Sequence, residues 1–144
     1  MTFLCFLLFV ILSVVQSRQA IVTLLSGHPN NAEKYVRLLH FFVTSLRSSG
    51  YSGEIAVMHA ADFPINHTKL AAVFGVTLIA VDKILIPHNK KNAHYRSMLT
   101  KLHIWNLTQY SHIMYFDCDF IFQHNPESAF AECSWSQLCA TLDT

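Results

Sequence analysis

Two aspartates separated by a single residue close the apolar run Tyr115-Phe116-Asp117-Cys118-Asp119, and Phe120-Ile121-Phe122 follows at once. Ile113 to Phe116 has the pattern of a buried strand, and Phe120 to Phe122 that of a second short apolar segment. Carboxylates at the end of a buried strand need a cation, a proton or hydrogen-bond donors as partners, because burial without them is costly. Strand alternation puts Asp117 and Asp119 on one side. Paired oxygens of this kind suit a hard divalent cation, whose shell a diphosphate would complete. The plainer alternative is a turn acid followed by a helix-capping acid.

The preceding segment narrows the choice. Tyr95 to Tyr110 reads as an amphipathic helix, with Met98, Leu102, Trp105 and Gln109 on one stripe. Leu99-Thr100-Lys101-Leu102, Trp105, Leu107-Thr108 and Tyr110, followed by Asp117-Cys118-Asp119, resemble the helix-then-D-x-D pattern of glycogenin-like family 8 glycosyltransferases. The resemblance runs over roughly Gln19 to Thr144 and is strongest from Tyr95 to Asp119. It implies a Rossmann-like GT-A fold, a mostly parallel sheet with helices on both faces, here incomplete at the C-terminus. It also implies a metal-dependent hexosyl transfer from a UDP-sugar donor to a saccharide or protein acceptor, with Mn²⁺ (or Mg²⁺) as cofactor.

Site residues follow from the same resemblance. Asp119 is expected to ligate the metal, and Asp117 to contact the metal and the ribose. The Cys118 backbone would face the nucleoside, Lys101 the diphosphate, and Arg96 would assist. Glu33-Lys34-Tyr35 resembles an acid-x-tyrosine segment whose ring stacks on uracil, and Leu24 to Ser26 would line the uridine pocket. For Lys101 the alternative is a snorkelling surface lysine, and for Tyr35 a core tyrosine. The family's histidine metal ligand, in an H-x-x-G-x-x-K motif, has no counterpart in the sequence. A fragment, a truncated form or a degenerate copy is therefore expected.

Strands are expected at Ala20–Leu25, Glu54–Ala60 and Val76–Val81, and helices at Ala32–Ser48 and Asn66–Phe74, the last stopped by Gly75. Alternating strands and helices argue a parallel sheet, with ligands beyond the strands' carboxyl ends. In 144 residues this allows one domain of ordinary size.

The composition is 52% hydrophobic and 13% charged, and the first residues account for part of that bias. Residues 1–17 read as a signal peptide cleaved after Ser17, or alternatively an uncleaved anchor, leaving 18–144 as the nucleotide-sugar-binding part. That places the chain in the secretory pathway (Golgi, ER lumen or secreted), with membrane attachment only if the segment is retained. If it is not a signal, the chain is cytoplasmic. A formal net charge of +1 gives no case for nucleic acid. Cys133 and Cys139 are close enough in sequence to pair, and Cys118 is expected as a buried small side chain. The nine histidines show no zinc-ligand spacing. Asn66-His67-Thr68 and Asn106-Leu107-Thr108 are N-glycosylation sequons, the second set in the expected helix.

Two other function classes fit parts of this pattern. One is a non-catalytic secreted domain that retains nucleotide binding. The other is a haloacid-dehalogenase-type phosphatase, which also ends a strand in D-x-D. That motif continues with Thr or Val where this chain has Ile121, and it sits on the domain's first strand.

Overall fold

The computed structural model describes residues 18–27, 29–86, 98–133 and 138–139. The expected signal segment and Arg96 lie outside them. Four parallel strands form one sheet: β1 (Gln19–Leu25), β2 (Glu54–Ala60), β3 (Thr77–Val81) and β4 (His112–Tyr115), in the spatial order β3-β2-β1-β4. Helix α1 (Ala32–Ser48) links β1 to β2, and α2 (His67–Phe74) links β2 to β3. A short α3 (Ala129–Glu132) follows β4. The all-parallel sheet is consistent with a Rossmann-like α/β architecture.

Strand alternation divides the core in two. Ile21 and Leu25 of β1, with Ile55 and Val57 of β2, face Leu39, Phe42, Val43 and Leu46 of α1 and Leu70 of α2. Those α1 residues recur at helical spacing and are fully or almost fully buried. Truncating the fully buried Phe42 would cost about 3–5 kcal/mol. Ala20, Val22, Ala56 and Met58 point the other way and are covered by Ile104, Leu107 and Tyr110. Gly75 ends α2 in the left-handed conformation, φ 59°, where a side chain would be strained.

The covering segment departs from its sequence pattern. Met98–Asn106 is a 3-10 helix, not part of an α-helix reaching Tyr110. At three residues per turn, side chains three apart eclipse one another. The expected stripe of Met98, Leu102 and Trp105 is thus split between ridges, and all three are exposed. Leu99, Leu102 and Trp105 form one outward ridge, while the ridge from Met98 through Lys101 and Ile104 turns progressively inward to buried Leu107. Thr100, fully buried, accepts the Ile84 N–H at 3.1 Å, and His103 Nε2 lies 2.9 Å from the Asp82 carbonyl. These two contacts tie the 3-10 helix to the exit of β3.

The amino ends of all four strands meet at one carboxylate. Glu54 accepts hydrogen bonds from Tyr110 Oη (2.6 Å), Thr77 Oγ1 (3.0 Å) and Arg18 Nη2 (2.9 Å). Burial opposes its charge, but these donors hold its pKa below the ordinary value. Tyr110 is pushed up to about 12, first by burial and then by Glu54. The tyrosine that closes the sequence motif is thus structural, at the opposite end of the sheet from the aspartates.

Candidate functional site

The chain leaves β1 for β2 and β3 on one side, then returns to place β4 on the other side of β1. At such a reversal the connections diverge and leave a crevice at the carboxyl ends of the strands. The crevice is present here as an open cleft of ≈ 250 Å³ between the ends of β1 and β4. Leu24, Ser26, Tyr35, Lys101, Asp117, Cys118 and Asp119 line it, together with Leu38, Met98 and Tyr115. Of the donor-site residues expected from the sequence, Arg96 lies outside the described residues and Leu25 is buried in the core; the others lie in this one cleft.

The aspartates reach it by a different route from the one expected. Strand β4 ends at Tyr115, and its pairing with β1 is extended by one bond, Phe116 N–H to Val22 O at 3.0 Å. Residues 117–120 then form a tight turn, closed by Phe120 N–H to Asp117 O at 3.1 Å. Strand alternation therefore does not set the two carboxylates; the turn does. The short apolar segment Phe120 to Phe122 follows the turn without regular secondary structure, and Phe122 packs edge-on against Phe42. Between the aspartates, Cys118 points into the core, 6% exposed and unpaired with any other cysteine. Burial, and then the two neighbouring carboxylates, push its thiol up to about 11, so it stays protonated near neutrality.

Asp117 is held on two sides. Tyr115 Oη donates to its Oδ1 at 2.8 Å, and Lys101 Nζ lies 3.4 Å from the same oxygen. Burial raises the Tyr115 phenol far above its ordinary range, and its bond to Asp117 raises it further. The Lys101 ammonium also sits 5.5 Å from the centre of the Tyr115 ring. Lys101 is thus neither a core lysine nor a free surface one. Tyr115 was not identified from the sequence, where it read as an apolar strand residue; its position two before Asp117 was the available signal.

Tyr35 also lines the cleft. Its ring packs edge-on against Phe63, with centroids 6.1 Å apart, and Gly27 lies directly against it. Burial, and then Cys118 and Asp119, raise the pKa of its hydroxyl. Ser26 Oγ, also in the cleft wall, is buried with no hydrogen-bond partner among the described residues. Lys83, at the end of β3, pairs with Asp62 at 2.8 Å and reaches the Gly27 carbonyl at 3.5 Å.

The donor set bears on cation binding. Among the described residues no group of three or more His, Cys, Asp and Glu side chains could hold a metal. The cleft offers two aspartates, so any cation there would need oxygens from a bound ligand or from water as well. Two hard oxygen donors fit a divalent ion bound together with a diphosphate; they do not make a stand-alone metal site.

No protein-family model matches the chain. Several curated proteins of Arabidopsis thaliana, all with provisional names, do. UDP-glucuronate:xylan alpha-glucuronosyltransferase 5 is 31% identical over 130 residues, which cover 89% of this chain and 21% of that protein. Glucuronosyltransferase PGSIP7 is 28% identical over 120 residues, 81% of this chain and 24% of its own length. UDP-glucuronate:xylan alpha-glucuronosyltransferase 4 is 29% identical over 106 residues, 72% and 18% respectively. The chain spans roughly a fifth of the length of these relatives. Each is named as a glycosyltransferase, and this chain is their homologue. Among the described residues, no helix is long and apolar enough to cross a membrane.

Proposed function

We propose that the chain is the nucleotide-sugar-binding part of a metal-dependent glycosyltransferase of the glycogenin-like GT-A type, with a UDP-sugar as donor. The observation that carries this reading is the convergence of Tyr35, Lys101, Asp117 and Asp119 on one cleft at the switch point of a parallel sheet. In this reading Tyr35 stacks on the uracil, an interaction worth about 1–3 kcal/mol per base. The Leu24–Ser26 backbone lines the nucleoside pocket, with the Ser26 hydroxyl available to a polar atom of the ligand. Asp117 and Asp119 would hold a divalent cation, Mn²⁺ or Mg²⁺, which needs further oxygen donors beyond these two carboxylates. When bound, that ion neutralises the charge that develops on the departing diphosphate. Lys101 exchanges its contact with Asp117 for one with a phosphate oxygen, a charge-assisted bond.

The names of the relatives make UDP-glucuronate the first donor to test, and a saccharide the first acceptor. Golgi or ER residence, reached through a signal in residues 1–17, would fit such a donor. Positioning the acceptor hydroxyl against the anomeric carbon accounts for much of the rate in group transfer. That task is assigned to parts of a longer protein, so these 144 residues alone are expected to bind UDP with little transfer.

Calorimetric titration with UDP, with and without Mn²⁺, tests the reading. Metal-dependent binding is expected, reduced tenfold or more by Asp119→Asn and less by Asp117→Asn. Undiminished metal-dependent binding in both variants would remove the metal assignment. Binding that persists without any transfer in the full-length protein would favour a non-catalytic nucleotide-binding domain.

A further inference from the structure

The first of the two N-glycosylation sequons, Asn66-His67-Thr68, sits at the mouth of a second cavity, and none of the residues lining that cavity lines the aspartate cleft. This cavity, ≈ 480 Å³, lies between α1 and α2 and is mostly apolar, with Val36, Ile65, Leu70, Val73 and Phe74 in its walls. Val73 is 64% exposed there. Asn66, Glu33 and Lys69 supply its polar rim.

We propose that Asn66 carries an N-linked glycan whose first sugar lies over this groove. Asn66 is exposed and caps α2 from an extended conformation, φ −82° and ψ 95°. Its Oδ1 accepts the Lys69 N–H at 2.9 Å, and its Nδ2 takes no partner among the described residues. The modification uses Nδ2 alone, so the cap and the glycan coexist. Nδ2 attacks the anomeric carbon of a lipid-linked diphospho-oligosaccharide. The new C–N bond forms as the C–O bond to the lipid diphosphate breaks, and the amide gives up one proton. Thr68, the third residue of the acceptor sequence, is exposed as well.

Two further observations agree. Cys133 and Cys139 are joined in a disulfide, which persists in the oxidising compartments where this transfer takes place. The apolar face of a pyranose ring attached at the rim would also cover side chains that are otherwise open to water. In the second sequon Asn106 and Thr108 are exposed as well, but its middle residue, Leu107, is buried. Its N–H bonds to Ile104 O at 3.2 Å, and its carbonyl accepts the Tyr110 N–H at 3.1 Å.

The test is cell-free translation of the full chain with eukaryotic microsomes, followed by peptide N-glycosidase. A mobility shift reversed by the glycosidase is expected, and one glycan is expected to be lost in both Asn66→Gln and Thr68→Val. Thr68→Val keeps the Asn66 cap, so loss of the shift there cannot be blamed on a damaged helix. An unmodified full chain, or the full shift retained in either variant, would overturn the proposal. For the groove, glycosidase-treated protein is expected to bind an apolar dye more strongly than mock-treated protein. Equal dye binding would overturn the placement of the sugar.

Discussion

The Tyr115 hydroxyl donates to Asp117 Oδ1 across 2.8 Å, from the last residue of β4 to the first aspartate of the turn that follows it. The same oxygen faces Lys101 Nζ at 3.4 Å, which leaves Oδ2 as the oxygen available to a ligand. Because burial and Asp117 keep the phenol protonated well above neutrality, the donor is present at any physiological pH. Tyr115 therefore fixes the direction in which Asp117 presents its charge. Tyr115→Phe keeps the ring and removes only that bond. Loss of a hydrogen bond to a charged group is worth about 1.5 kcal/mol, so Mn²⁺-dependent UDP affinity should fall roughly tenfold. The same bond is present in the ligand-free chain, so the melting temperature should fall by a few degrees as well. Calorimetry and thermal unfolding on the same samples check both; unchanged affinity would show that Asp117 needs no such support.

Lys101 should separate the two halves of the nucleotide. If its ammonium passes from Asp117 to the diphosphate, Lys101→Met weakens UDP binding and leaves uridine binding as it was. Stability should change little, since half-exposed ion pairs are worth about 0–1 kcal/mol. Titration with each ligand decides the point. Equal loss for UDP and uridine would assign the lysine to the fold instead.

Glu54 makes the sheet sensitive to acid. Its folded-state pKa lies below its ordinary value of 4.5, so the native state binds the proton less readily than the unfolded chain. The stability from this group is fully present above about pH 4.5 and is lost as pH falls through the lower folded-state value. Glu54→Gln cannot charge, and it leaves Arg18 and Tyr110 without their carboxylate. It should destabilise the chain by about 1–3 kcal/mol near neutrality and flatten the acid limb of a plot of stability against pH. Denaturant unfolding from pH 3 to pH 7 measures both; an unchanged acid limb would show that another carboxylate controls it.

The order of strands and helices was legible in the sequence because its signals are local. Ala32–Ser48 and Glu54–Ala60 match their expected bounds to the residue, since an uninterrupted apolar period and clear turn residues mark both. The segment over Met98–Asn106 was not, for two physical reasons. Its i, i+4, i+7 spacing fits an α-helix on paper, but Thr100 and His103 bond to the β3 exit three residues apart, which suits the tighter helix. Trp105 and Leu102 are also exposed, and periodicity alone cannot reveal that. The residues that the resemblance named, Tyr35, Lys101 and the aspartates, share one cleft, while Tyr115 and Gly27 emerged only from contacts between residues. A glycine that matters because another ring lies against it leaves no trace in a local pattern.

Gly27 supplies the most specific test of the nucleoside pocket. A Cβ added there would stand 2.7 Å from Tyr35 Cε2, closer than real contacts allow, so the ring must move. Gly27 needs no left-handed conformation, and the backbone can accept alanine without strain. The effect of Gly27→Ala is therefore carried by Tyr35, whose ring also packs edge-on against Phe63. If that ring stacks on uracil, displacing it costs part of the ~1–3 kcal/mol of a base–aromatic contact. Uridine and UDP should then weaken by the same factor, the opposite signature to Lys101→Met. Tyr35→Ala should weaken both at least as much. Combining Gly27→Ala with Tyr35→Ala should add nothing further, because the alanine then has no ring to push. The measurement is a double-mutant cycle on uridine affinity with the melting temperature followed in parallel. Wild-type uridine affinity in Gly27→Ala, in a protein that melts normally, would show that Tyr35 belongs to the core and that the base binds elsewhere.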